Sequence, residues 1–286
     1  MCSKTFRWEW YILAVCCAFA LLAQFVPPAL KSVSGNGNGV FVPIIMYHSL
    51  LKNPASANSY TVSPSTFEAD LQYLLDNGYQ TVFIQDLIDY VYQGQPLPPK
   101  PVVITFDDGH LNTLTYGLPI LQKHGAKAVL SAVGGYVEEA VAQNDPNPQY
   151  AYCTWDDLKT LRDSGCFEIQ NHSYRLHSSK GARGAARKEG EVVASYHQRL
   201  ISDVLKMQQA LAKEAEAQPT AFTYPFGFTD PEGERVLREL GFLATLTCAE
   251  RPNYLTDNPE CLYLLGRYNR PSGISTASFM QKALRH

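Results

Sequence analysis

The stretch Pro101-Val102-Val103-Ile104-Thr105-Phe106-Asp107-Asp108-Gly109 decides how the rest of the chain is read. A nearly unbroken apolar run of this kind is the pattern of a strand buried on both faces, as in parallel sheets covered by helices. It stops abruptly at two carboxylates. Neighbours on a strand point to opposite faces, so two aspartates can share a site only if the strand ends there. Gly109 permits that break. A solvated turn would explain Asp-Asp-Gly more blandly, but the buried strand that feeds it weakens that reading.

On either side of this strand, short β-rich runs alternate with helical periodicity. Strands are expected at 42–48 (VPIIMYH), 81–83, 128–133, 167–171, 221–224, 243–247 and 263–267. Helices are expected at 64–76, 86–93, 118–124, 155–163, 191–217 and 232–240. Ser63-Pro64 offers an N-cap with proline at the first helical position, and Asn77-Gly78 a stop. Thr154 with Asp157 has the spacing of a capping box. Strands separated mostly by helices imply a parallel α/β barrel of TIM-like type, with an open doubly wound sheet as the alternative. No GxGxxG and no P-loop lysine is present, so a nucleotide-binding form of that sheet lacks support.

Composition narrows the class. The 286 residues include 45% hydrophobic and 12% aromatic residues, ample for one large core, so a disordered chain is excluded. Lys4 and Arg7 precede an apolar run over 10–26, with Trp8, Trp10 and Tyr11 at its amino end. Residues 1–31 are therefore read as a membrane anchor or signal segment and 32–39 (SVSGNGNG) as a linker, with the globular domain at 40–286. The expected location is extracytoplasmic, anchored at the membrane or secreted after cleavage. Without Lys4, Arg7, Lys31 and Glu9 the domain carries 21 basic and 26 acidic residues, a net −5. That argues against nucleic acid as a partner, and no protein partner is indicated. Cys2, Cys16 and Cys17 fall in the first segment. Cys153 and Cys166 bracket a helix and lie too far apart to bridge. Cys248 and Cys261 flank a loop and are the candidates for a disulfide.

Polar residues gather where strands end: Tyr47-His48, Asp107-Asp108, His172, and Tyr224-Pro225-Phe226-Gly227. In parallel barrels the carboxyl ends of the strands form the active-site face. His172 and His177 are five residues apart, a spacing that chelates only from a loop, not from one helix face. Two imidazoles with one carboxylate and open positions make a catalytic rather than a structural metal site. A glycosidase using both aspartates fails on geometry, since its carboxyls must flank a sugar bond.

Thr105-Phe106-Asp107-Asp108-Gly109 with Asn171-His172-Ser173-Tyr174-Arg175-Leu176-His177 resembles the polysaccharide deacetylase family, carbohydrate esterase family four. Thr154-Trp155-x-x-Leu158, Gly165-x-x-Glu168-Ile169 and Tyr224-Pro225-Phe226-Gly227 fit the same resemblance. It implies a distorted (β/α)7 barrel that removes acetyl groups from a polysaccharide. It further implies that Asp107 is the general base and that Asp108, His172 and His177 hold a divalent metal ion. Zinc is the expected ion, with cobalt, nickel or manganese as alternatives. The longer His spacing and Met46-Tyr47-His48 are similar to the branch acting on poly-β-1,6-N-acetylglucosamine, which implies His48 as general acid. The backbone N–H of Phe226 is then expected at the oxyanion, with Tyr174, Tyr224 and Phe226 as candidate sugar contacts. The arginine that usually precedes the Pro-aromatic-Gly motif is replaced by Thr223-Tyr224, and Leu265-Gly266-Arg267 stands where a Leu-x-His is usual. Arg267 is the expected support for Asp107. The expected activity is hydrolysis of N-acetyl groups on an N-acetylglucosamine polymer. A non-catalytic glycan-binding or scaffold protein that keeps the barrel is the alternative.

Overall fold

In the computed structural model, which describes residues 39–178 and 184–285, seven main strands are Ile44–Tyr47 (β1), Pro101–Asp108 (β2), Ala128–Ala132 (β3), Phe167–Asn171 (β4), Ala221–Thr223 (β5), Ala244–Leu246 (β6) and Tyr268–Asn269 (β7). They lie in one parallel sheet in the order β6-β5-β4-β3-β2-β1-β7, with Gln80–Thr81 pairing the start of β2. Just before β7, Leu265 donates to Thr245 of β6 (2.8 Å); just after it, Arg270 donates to Met46 of β1 (2.9 Å). The last segment is thus hydrogen-bonded toward both edges of the sheet, an arrangement consistent with a distorted (β/α)7 barrel.

The helices are Pro64–Asp76 (α1), Ile84–Gln93 (α2), Leu118–His124 (α3), Gly134–Gln143 (α4), Trp155–Asp163 (α5), Val193–Glu214 (α6), Pro231–Glu239 (α7) and Thr276–Ala283 (α8). Their starts follow the local sequence. Ser63 Oγ accepts from the Thr66 N–H (3.0 Å) at α1. At α5 the Thr154 N–H donates to Asp157 (2.8 Å) and the Asp157 N–H to Thr154 (3.2 Å), closing the capping box.

Three expectations are corrected. α4 and α8 were not foreseen. α4 opens on Gly134-Gly135, poor helix formers, because a Cβ at Gly134 would lie 2.4 Å from the Tyr174 ring. The strand expected at 263–267 begins instead at Tyr268, since Leu264 is left-handed (φ 57) and only Leu265 makes an isolated bridge. Cys248 and Cys261 are both free. The Cys248 sulfur lies against Met46 (3.9 Å) and Arg267 (3.8 Å), whereas Cys261 accepts from Thr256 (3.5 Å), so the two face different neighbours.

Strand parity positions the site. On one face Val103, Val129, Ala221 and Ala244 form an apolar cluster. Two residues further along, the same face turns polar: Thr105 and then Asp107 on β2, Ser131 on β3, Thr223 on β5. Ser131 and Thr223 share a hydrogen bond (2.7 Å). The opposite face, with Ile104, Phe106, Leu130 and Ile169, packs against helices. The carboxyl ends of the strands therefore open onto a polar interior.

Residues 1–31, with Cys2, Cys16 and Cys17, and positions 179–183 lie outside the described residues. Among the described residues no helix is long and apolar enough to cross a membrane.

Candidate active site

Asp107 keeps the inward parity of β2 and is buried, 2% exposed. Arg267 donates to both of its oxygens, at 2.7 and 2.8 Å, and the guanidinium also reaches Thr105 (3.2 Å) and the Thr247 carbonyl (2.8 Å). This two-pronged contact fixes the carboxylate in one orientation. Burial alone would raise the Asp107 carboxyl, but Arg267, His172 and His48 outweigh it and hold the group below the usual carboxylate range. Arg267, the residue expected to support Asp107, thus makes direct contact with it.

An unbroken strand would send Asp108 outward. Its backbone is left-handed instead (φ 71), with Gly109 also at positive φ (83), so the turn begins one residue before the glycine. Ser173 (φ 73) and Phe226 (φ 58), after β4 and β5, adopt the same conformation. Each costs a non-glycine residue about 1–2 kcal/mol, and strain of this kind gathers where geometry matters for function. The turn brings Asp108 Oδ1 to 3.1 Å from His177 Nε2 and 3.6 Å from His172 Nε2.

Among the described residues, these three are the group that could hold a metal ion, their ligand atoms lying within 4.8 Å of one another. Two further observations fit an ion there. Asp108 Oδ1 is buried with no hydrogen-bond partner. Both imidazoles are engaged at Nδ1, His172 by the Thr223 carbonyl (2.7 Å) and His177 by the Tyr136 hydroxyl (3.0 Å), which leaves both Nε2 atoms facing the carboxylate. Burial pushes His172 down to about 4, so it is neutral at neutral pH and able to ligate. Burial opposes the ionised form of Asp108, but His177 and His172 outweigh it and hold the carboxyl well below its usual range.

His48 follows β1, whose register pairs Tyr47 with Phe106, so it stands beside Asp107. Its Nδ1 is buried without a partner, and its ring meets Tyr60 edge-on at 4.9 Å. Phe226 is 40% exposed, its ring 4.3 Å from that of His177. The two tyrosines expected as sugar contacts are both buried. Tyr224 is fully buried, donating to Glu234 (2.9 Å), because its side packs into the Phe222 cluster with α6 and α7. Tyr174 is 4% exposed and lies under Gly134, bonded to Glu138. It lines a cleft of about 590 Å³ beside His177, which Tyr136, Glu138, Glu139 and Arg175 also wall.

Sequence reading missed Tyr136 and Tyr152, whose rings stack at 4.3 Å, and Tyr60. No motif marks them, because aromatic residues on loops and on an unforeseen helix look like ordinary surface.

Residues 94–245, just over half of the chain, match the family model described as polysaccharide deacetylase. The poly-beta-1,6-N-acetyl-D-glucosamine N-deacetylase of Escherichia coli (strain K12) is 28% identical over 255 residues, covering 81% of this chain; the chain spans 38% of that relative's length. Among solved structures, IcaB from Ammonifex degensii superposes with a TM-score of 0.67 at 25% identity, covering 87% of this chain and 97% of that one. A de-N-acetylase from Aggregatibacter actinomycetemcomitans shares the fold with a TM-score of 0.71 at 24% identity, covering 83% and 98%. An aspartate pair and two histidines on one strand-end rim, within a sheet of this order and a match of this extent, place the sequence in one group: the chain belongs to the polysaccharide deacetylase family.

Proposed function

We propose that this protein is a metal-dependent hydrolase that removes N-acetyl groups from N-acetylglucosamine residues of an extracellular or cell-wall polysaccharide, with the β-1,6-linked polymer as the foremost candidate. The observation that carries it is the buried Asp107–Arg267 pair set directly beside the Asp108, His172 and His177 cluster. The names of the relatives support the choice of polymer. The complete (β/α)7 barrel, zinc as the ion, and carriage out of the cytoplasm by residues 1–31 belong to the same proposal.

Amide hydrolysis needs a base for the attacking water and an acid for the departing amine. A divalent ion held by Asp108, His172 and His177 would supply Lewis acidity at the acetyl carbonyl. Asp107 is ionised at neutral pH and held still by Arg267, so it takes the water's proton without reorganising. His48, in register with Asp107 and with an unpaired buried nitrogen, gives a proton to the sugar nitrogen as the C–N bond breaks. Acetate and a glucosamine residue result. The Phe226 N–H, on its left-handed turn, is the donor assigned to the oxyanion. The exposed ring of Phe226 offers a face for a sugar, and the net −5 of the 40–286 domain leaves little for electrostatic attraction.

Acetate release from β-1,6-linked N-acetylglucosamine oligomers is expected to vanish with chelator and return with added zinc or cobalt, and to exceed release from chito-oligosaccharides and peptidoglycan fragments. An intact, zinc-loaded protein releasing none from any of the three would instead make it a glycan-binding barrel. His48→Ala should lower kcat by about a hundredfold, with a smaller loss on substrates whose leaving amine is less basic. Equal losses across leaving groups would remove His48 from the acid role.

A further inference from the structure

Four side chains close a ring with the Asp108 carboxylate. On one side His177 Nε2 lies 3.1 Å from Oδ1, and on the other His110 Nε2 lies 3.8 Å from Oδ2. Two tyrosines join these imidazoles. The His110 ring stacks on Tyr152 (centroids 4.9 Å apart, planes 21° apart), and Tyr152 stacks on Tyr136 (4.3 Å, 20°). Tyr136 stands edge-on to His177 (5.5 Å, 62°), with its hydroxyl 3.0 Å from Nδ1. The main chain ties the same residues together. Tyr152 forms an antiparallel bridge with His110, the Cys153 N–H donates to Gly109 (2.8 Å), and the Leu111 N–H donates to Ala151 (2.9 Å). Segment 151–153 therefore holds the Asp108-Gly109 turn through its backbone and Tyr136 through the Tyr152 ring.

The two histidines of the cluster are oriented differently. The Nδ1 partner of His172 is a main-chain carbonyl, that of Thr223 at the end of β5, which the sheet fixes. The Nδ1 partner of His177, on the loop after β4, is a side-chain hydroxyl. An imidazole that presents its Nε2 lone pair to an ion carries its proton on Nδ1, so an acceptor there selects the tautomer and the ring plane. The Tyr136 oxygen is that acceptor. It can do this only if its own ring is held, and the Tyr152 stack holds it.

We propose that Tyr136 is a positioning residue of the metal centre, fixing the tautomer and plane of His177, and that Tyr152 couples it to the Asp108-Gly109 turn. This rests on the reading of Asp108, His172 and His177 as the metal site. Tyr136→Phe removes the hydroxyl and keeps the stacked ring. Zinc affinity of the full chain, read by competition with a chromophoric chelator, should weaken about 10- to 100-fold. The visible spectrum of the cobalt-loaded variant should change, its melting temperature should stay near that of the wild type, and acetate release should recover as zinc is raised. Tyr152→Leu, which keeps the Tyr136 hydroxyl and removes the stack, should weaken zinc binding less but in the same direction. Unchanged zinc affinity and an unchanged cobalt spectrum in Tyr136→Phe would overturn the proposal. So would a raised KM at unchanged zinc affinity, which would give the hydroxyl to the substrate. A wild-type chain that takes up no zinc would sink the metal-site reading itself, and this proposal with it.

Discussion

Asp107→Asn is expected to bind zinc about as tightly as the wild type and to release acetate at least about a thousandfold more slowly. The two halves of that result come from separate features. Zinc uptake depends on Asp108, His172 and His177, whose ligand atoms converge, and Asp107 is not of that group. Turnover depends on a carboxylate that can accept the water's proton, and an asparagine amide at the same place cannot. The substitution also leaves Arg267, fully buried, facing a neutral partner. Some stability is therefore lost, and rates belong to the folded, zinc-loaded fraction, measured alongside circular dichroism and zinc stoichiometry. His172→Ala provides the contrast, since it removes a ligand and should lose zinc and turnover together. A near-normal kcat in Asp107→Asn would end the assignment of this residue as base. Loss of zinc in the same variant would move Asp107 into the ligand set.

Much of this was legible in the sequence because it is local. β2 runs over the residues its apolar pattern marks, Pro101–Asp108, and the capping pairs at Ser63 and Thr154–Asp157 sit where their spacing puts them. The Asp-Asp-Gly break was legible too, although the left-handed residue is Asp108 as well as Gly109. What escaped depends on contacts made across the fold. The glycines opening α4 argue against a helix until Tyr174 is seen packed on Gly134. Tyr174 and Tyr224 looked like sugar contacts from their motif positions, but Tyr174 packs against Gly134 of α4 and Tyr224 into the Phe222 cluster with α6 and α7, which buries both. The pair Asp107–Arg267 spans 160 residues, and only a departure from the family pattern hinted at it. The Tyr136–Tyr152–His110 stack has no periodicity at all, since it joins a strand end, a helix and a loop. Local rules find the groups that do the chemistry. They say little about the groups that hold those in place.

Arg267→Met should cost about 3–5 kcal/mol of folding stability at neutral pH, because removing one partner of a buried pair leaves the other charge unpaired. The loss should depend on pH with a definite sign. In the wild type the Asp107 carboxyl is held below its unfolded value, so its contribution is present above about pH 4 and is lost as pH falls through the folded value. In the variant, burial acts without the arginine and raises the carboxyl above its unfolded value. The variant is then penalised most where Asp107 would be ionised, and it recovers as pH falls and the group is protonated. Urea unfolding of the metal-free chains at pH 7.5 and pH 4.5 should therefore show a large gap between wild type and variant at the higher pH and a much smaller one at the lower. The Asp70–Arg270 pair, also buried and with partners of its own, is left intact by this change, so its contribution is common to both chains and cancels in the comparison. Combining Arg267→Met with Asp107→Asn removes both charges, and most of the lost stability should return while acetate release stays absent. Strict additivity of the two single losses, or a gap that does not narrow in acid, would mean that Arg267 supports the fold through packing and its bonds to Thr105 and Thr247 rather than through Asp107. Recovery in the double variant would separate the two demands on this pair: a neutral couple suffices for folding, but turnover requires the charged one.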